Sequence, residues 1–125
     1  MRIIAMDILS IEGTDETPRV ILDKARGIFE ISGRSLPEDS PEFYNPVLEW
    51  ISNYSKDPNP TTVFLFKLEY SNTASSKLIQ DVMLALEKVK NTKIIWYYES
   101  EDEDMEQSGH EFAELVNVPF EFKTY

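Results

Sequence analysis

Cysteine is absent from this chain, so it has neither a disulfide framework nor a thiolate metal site. That fits a reducing compartment. Histidine occurs once, as His110, which leaves little room for imidazole catalysis or metal ligation. The glycines Gly13, Gly27, Gly33 and Gly109 are too few and too scattered for a phosphate-cradling loop, so no nucleotide cofactor is indicated. No apolar stretch approaches the ~20 residues of a membrane span. The start, Met1 to Ile11, has a single basic residue and is interrupted by Asp7 and Ser10, a poor signal peptide. Basic residues are scarce as well. With 12 Lys and Arg against 23 Asp and Glu, the net charge is −11, which disfavours nucleic-acid backbones and anionic membrane surfaces. The 125 residues suffice for one domain with a real core. These absences predict an acidic, soluble, cytoplasmic domain without a cofactor or a structural metal.

What is present centres on Val63 to Lys77. The run Val63 to Phe66, continued by Leu68 and Tyr70, reads as a strand. Ser71 to Ser76 is rich in hydroxyl and amide side chains, which satisfy the free N–H groups where a helix begins. Lys77 to Lys90 then shows helical periodicity, with Ile79, Val82, Met83, Leu86 and Val89 on one face.

The remaining segments order themselves around this junction. Residues 1–11 form an N-terminal strand or flexible extension, and 12–125 the single domain. Val20 to Leu22 and Ile28 to Ile31 read as a hairpin about Asp23–Gly27, the second strand ending at Ser32-Gly33. A helix follows with Ser40 as cap and Pro41 in its first turn, burying Phe43, Val47, Trp50, Ile51 and Tyr54, with Pro46 as a kink or restart. Thr92 to Tyr98 reads as a buried strand, the acidic run Glu99 to Asp104 leads into a third helix with Met105, Gly109, Phe112 and Leu115 or Val116 inward, and Phe120 to Lys123 is a last strand. The order ββαβαβαβ predicts an α/β domain with a central mixed, mostly parallel sheet of four to five strands and two to three helices.

Catalytic readings find little support. A relay from His110 to Ser75 or Ser76, as a small hydrolase needs, has no spacing in its favour. The acidic run lacks the alternation and glycine of a calcium loop, and carboxylates before a helix complement its dipole. Asn72-Thr73-Ala74-Ser75-Ser76-Lys77 supports two readings. One is a plain helix cap in a constitutive interaction domain. The other is a phosphorylation site, where a phosphoryl group adds about −1.5 to −2 charges at a helix end that favours anions, one turn from Lys77.

The chain resembles the SiaC-like bacterial regulatory phosphoproteins over nearly its whole length after Ile11. The resemblance rests on Thr17-Pro18, Gly33-Arg34-Ser35-Leu36-Pro37-Glu38, Glu42-Phe43-Tyr44, Trp50-Ile51, Leu68-Glu69-Tyr70-Ser71-Asn72-Thr73, Ser75-Ser76-Lys77, Trp96-Tyr97-Tyr98 and Pro119-Phe120, taken in order and spacing. Ser71 stands where an apolar or aromatic residue is common in that family, and Ala74 where a serine is common. The resemblance implies a fold similar to the STAS-type anti-sigma-factor antagonists and a non-enzymatic partner-switching role. It also implies that Thr73 is the phosphoacceptor of a cognate serine/threonine kinase, restored by a PP2C-like phosphatase. The unphosphorylated form is then expected to bind a signalling target such as a diguanylate cyclase, in cyclic-di-GMP and biofilm control. Asn72, Ser75, Ser76 and Lys77 are expected to shape the site, and Arg34 to contribute to a partner surface.

Overall fold

A computed structural model describes residues 6–125. The expectation for the N-terminal extension therefore lies outside the described residues for positions 1–5. The elements are β1 (Leu9–Ile11), β2 (Arg19–Asp23), β3 (Ile28–Ser35), α1 (Ser40–Tyr54), β4 (Thr62–Ser71), α2 (Thr73–Leu86), β5 (Thr92–Tyr98), α3 (Glu103–Leu115) and β6 (Phe120–Thr124). The expected order is present, preceded by β1, which raises the sheet to six strands in place of four or five.

The strands lie in sequence order. β1, β2 and β3 pair antiparallel, and β3 to β6 pair parallel. Three successive crossovers that advance in one direction with the usual right hand place α1, α2 and α3 on the same face of the sheet. That face carries Val20, Leu22, Phe29, Ile31, Phe64, Phe66, Ile94 and Trp96, all buried. The opposite face alternates into side chains that reach solvent, including the ion pairs Arg19–Glu30, Lys67–Glu30 and Lys93–Glu121.

Several local expectations shift by a residue or more. Gly33 does not end β3. It adopts a φ of 102°, and the register slips between Gly33 and Arg34 so that the strand continues to Ser35. Asp39, not Ser40, caps α1, accepting from the Glu42 amide at 3.1 Å, while the Ser40 hydroxyl is buried without a hydrogen-bond partner. Tyr44 takes the buried position expected for Phe43, while Val47, Trp50, Ile51 and Tyr54 stay inward as expected; its hydroxyl finds a buried partner in Ser35 at 2.6 Å. The helix runs unbroken through Pro46. α2 begins at Thr73, four residues before the expected Lys77, and ends at Leu86, with Val89 buried in the turn that follows. On α3, Leu115 is exposed and Val116, just beyond the helix, is buried.

Gly109 explains how α3 approaches the sheet. A Cβ there would lie 2.5 Å from Trp96 Cδ1 and 2.6 Å from Trp96 Nε1. The bare backbone lets the pyrrole edge of the indole approach the helix and donate to the Met105 carbonyl at 3.0 Å.

Candidate functional site

The site grows from the end of β4. Asn72 is extended (φ −82°, ψ 172°) and its Oδ1 accepts from the Ser75 amide at 2.8 Å, so Asn72 is the N-cap of α2. Its own amide donates to the Ser35 carbonyl at 3.1 Å, tying the cap to β3. The cap reading of Thr73 is therefore corrected: Thr73 is the first helical residue, and its side chain points to solvent without a hydrogen-bond partner among the described residues. The amides of Thr73 and Ala74 are the first two of the helix and have no carbonyl one turn back to receive them, so they face outward at its positive end.

The three neighbouring positions play different parts. Ser75 is fully buried. Ser35 Oγ donates to Ser75 Oγ at 2.9 Å and lies 2.6 Å from Tyr44 Oη, so three hydroxyls from α2, β3 and α1 form one buried chain. Burial pushes the Tyr44 phenol up to about 12, its bond to Ser35 opposing the shift only in part. Ser76 Oγ lies 3.2 Å from Ser71 Oγ across the strand-to-helix turn. Lys77 is directed away from Thr73 along the helix, its ammonium 2.8 Å from Asp81.

Arg34 belongs to β3, not to a loop. The register slip sets it opposite Tyr70, and its guanidinium lies 5.4 Å from the Tyr70 ring centroid while Nε donates to the Asp15 carbonyl at 3.2 Å. Tyr70 is 45% exposed, so the Arg34–Tyr70 pair, which ends three residues before Thr73 in the chain, is open to solvent. Arg34 also borders an open cavity of about 660 Å³ on the helix-free face, where Arg19 and Lys67 alternate with Glu30 and Glu69.

The sequence did not single out Tyr44, Ser35 or Tyr70 as site residues. Their only signal lay in the segments Gly33–Glu38, Glu42–Tyr44 and Leu68–Thr73, which the family resemblance spans. His110 stacks on Phe122 at 4.2 Å between ring centroids and sits 3.9 Å from Glu106, and no serine or threonine hydroxyl is among its hydrogen-bond partners within the described residues. Within the acidic run, Asp102 caps α3 through the Met105 amide at 2.9 Å. Among the described residues, no group of three or more His, Asp or Glu side chains is placed to hold a metal ion. Nor is any described helix long and apolar enough to cross a membrane.

A six-stranded mixed sheet with three helices on one face defines a one-domain α/β protein. The chain belongs to the SiaC family of regulatory phosphoproteins, whose family model matches residues 11–125. It is 28% identical over 124 residues to an uncharacterised protein of Pseudomonas aeruginosa strain UCBPP-PA14, covering 96% of this chain and 98% of that one. Among solved structures it is similar to SiaC of Pseudomonas aeruginosa, with a TM-score of 0.83 and 27% identity over 96% of this chain and 100% of the other. It is equally similar to SiaC in the crystal structure of the diguanylate cyclase SiaD in complex with its activator SiaC, from the same organism, with a TM-score of 0.84 and 27% identity over 94% of this chain and 99% of that one.

Proposed function

We propose that this chain is a non-enzymatic, cytoplasmic adaptor switched by reversible phosphorylation of Thr73. A cognate serine/threonine kinase adds the phosphoryl group and a PP2C-like phosphatase removes it. The unphosphorylated form engages a diguanylate cyclase, as the solved complex of SiaD with its activator SiaC suggests by analogy.

The observation that carries this reading is a division of labour among neighbouring polar groups. Asn72 does the capping and Ser75 is sealed in the core, which leaves the Thr73 hydroxyl free and exposed beside two unpaired amides. A phosphoryl group attached there meets a helix end that favours anions, so modification changes the surface without a cost to the fold. Asn72 fixes the turn, Ser75 and Ser76 fix the first helical turn against β3 and β4, and Lys77 lies one turn on.

Binding of the intact protein to a diguanylate cyclase of the same organism tests the output. Unphosphorylated protein is expected to bind, and protein phosphorylated at Thr73 to bind at least several-fold more weakly. Equal affinity of the two forms would contradict the reading.

A further inference from the structure

Thr73, Lys77 and Asp81 follow one another at four-residue intervals along α2, so each stands about 6 Å of helix axis, one turn, from the next. The middle member is the cation. Its ammonium lies 2.8 Å from an Asp81 carboxylate oxygen, the lysine side chain being 67% exposed and the aspartate 33%. Glu111 of α3 lines a cavity of about 310 Å³ together with Lys77, but among the described residues the lysine forms its ion pair with Asp81.

This pairing is the weaker of the two that the lysine can make along its own helix. An anion one turn N-terminal to a lysine is better placed than one a turn C-terminal to it, because the backbone dipole favours negative charge toward the helix head. Position 73 is the N-terminal one. In the unmodified protein it carries a neutral hydroxyl, so the lysine reaches the other way. A phosphoryl group on the Thr73 oxygen places about −1.5 to −2 charges and three acceptor oxygens there, against the single charge of Asp81.

We infer that phosphorylation of Thr73 turns Lys77 round: the ammonium leaves Asp81 and pairs with the phosphoryl oxygens, an inference that rests on the phosphoswitch reading above. The exchange carries the modification beyond its own residue. Asp81, about 12 Å along the axis from Thr73, loses its counter-ion and becomes an open carboxylate, while Lys77 partly neutralises the new dianion. One covalent change thereby rearranges charge over two turns of α2, including the side of the helix that borders α3 at Lys77. Asp81 is the residue this adds to the switch.

The test places phosphothreonine at position 73 of the full chain by genetic encoding, so that no kinase is needed, and follows the second ionisation of the phosphate by phosphorus NMR. That ionisation ordinarily falls at about pH 6. The native sequence is compared with Lys77→Gln, Asp81→Asn and the double variant, and Glu111→Gln controls for the general field between α2 and α3. All three positions reach solvent, and circular dichroism checks that the variants fold. Lys77→Gln is expected to raise the midpoint by about half a pH unit, roughly a threefold change in proton affinity. Asp81→Asn is expected to lower it by a smaller amount, because the lysine is then free of its competitor, and this effect is expected to vanish once Lys77 is replaced. An unchanged midpoint in Lys77→Gln, an equal shift by Asp81→Asn with and without the lysine, or a shift by Glu111→Gln as large as that by Asp81→Asn overturns the exchange. Such a failure leaves Thr73 standing as the phosphoacceptor, and a failure of kinases to modify Thr73 leaves the measured exchange intact.

Discussion

Ser35 Oγ donates a hydrogen bond to Ser75 Oγ at 2.9 Å, joining the end of β3 to the first turn of α2 inside the core. Because Tyr44 Oη lies 2.6 Å from the same Ser35 oxygen, the orientation of the Thr73 helix is linked to both β3 and α1. Tyr44→Phe and Ser75→Ala each remove one of the two buried hydrogen bonds of Ser35 and are expected to cost about 1 kcal/mol of stability apiece. Urea unfolding of the two single variants and the double variant measures this. A cost in the double variant clearly above the sum identifies one coupled chain, because only there is the buried Ser35 hydroxyl left with neither partner, and strict additivity contradicts it.

The helix caps predict an inversion of the simple reading of the sequence. Asn72→Ala and Asp39→Ala each remove a side chain that accepts from a first-turn amide, at a cost of about 1 kcal/mol. Thr73→Ala is expected to change stability by less than about 0.5 kcal/mol, in keeping with exposed sites free of such contacts. Ser40→Ala removes a buried hydroxyl without a partner and is expected to be neutral or stabilising. Thermal unfolding of the four variants separates these cases. A larger loss for Thr73→Ala than for Asn72→Ala restores Thr73 as the cap.

Alkaline stability follows from Tyr44. Its phenol is held up to about 12 in the folded protein, against 10.0 for the unperturbed group. Above pH 10 the unfolded chain releases this proton while the folded one keeps it, so the unfolded state binds fewer protons and stability falls as pH rises toward 12. The contribution is fully present below pH 10. At two units it amounts to roughly 2–3 kcal/mol. Urea midpoints of native protein and Tyr44→Phe, compared at neutral pH and across the alkaline range, check it. The gap between them is expected to narrow as pH rises, and a constant gap contradicts the assignment.

Gly109→Ala sets two effects against each other. Replacing glycine within a helix gains up to about 1 kcal/mol of helix propensity. The new Cβ, however, meets the Trp96 ring at 2.5 Å, and Trp96 is wedged between Phe66 and Phe112. Overpacking of a rigid core costs typically about 1–3 kcal/mol, so the variant is expected to be less stable on balance. A shift of the near-ultraviolet aromatic signal is expected with it, since the Trp96–Met105 hydrogen bond must give way.

How much was legible in the sequence depended on the range of the interaction. The alternation of β4, the apolar run of β5 and the inward stripe Ile79, Val82, Met83 and Leu86 are local patterns, and they appear as expected. The choice between Phe43 and Tyr44 for the core was not legible. Both are aromatic and one residue apart, and what favours Tyr44 is a hydroxyl partner nine residues upstream in β3. Likewise Asn72 and Thr73 are both good caps by type, and only the backbone phase of α2 separates them. Ser35 and Ser75 are 40 residues apart, a pairing that only the parallel register of β3 and β4 creates.

The central claim is that Thr73 is the switch. Its most direct measurement is site mapping by mass spectrometry after the intact protein is incubated with a serine/threonine kinase of the same organism and ATP. A single phosphate on Thr73 is predicted, lost in Thr73→Ala and released by the phosphatase. Phosphate on Ser76 with Thr73 unmodified, or undiminished incorporation in Thr73→Ala, contradicts it.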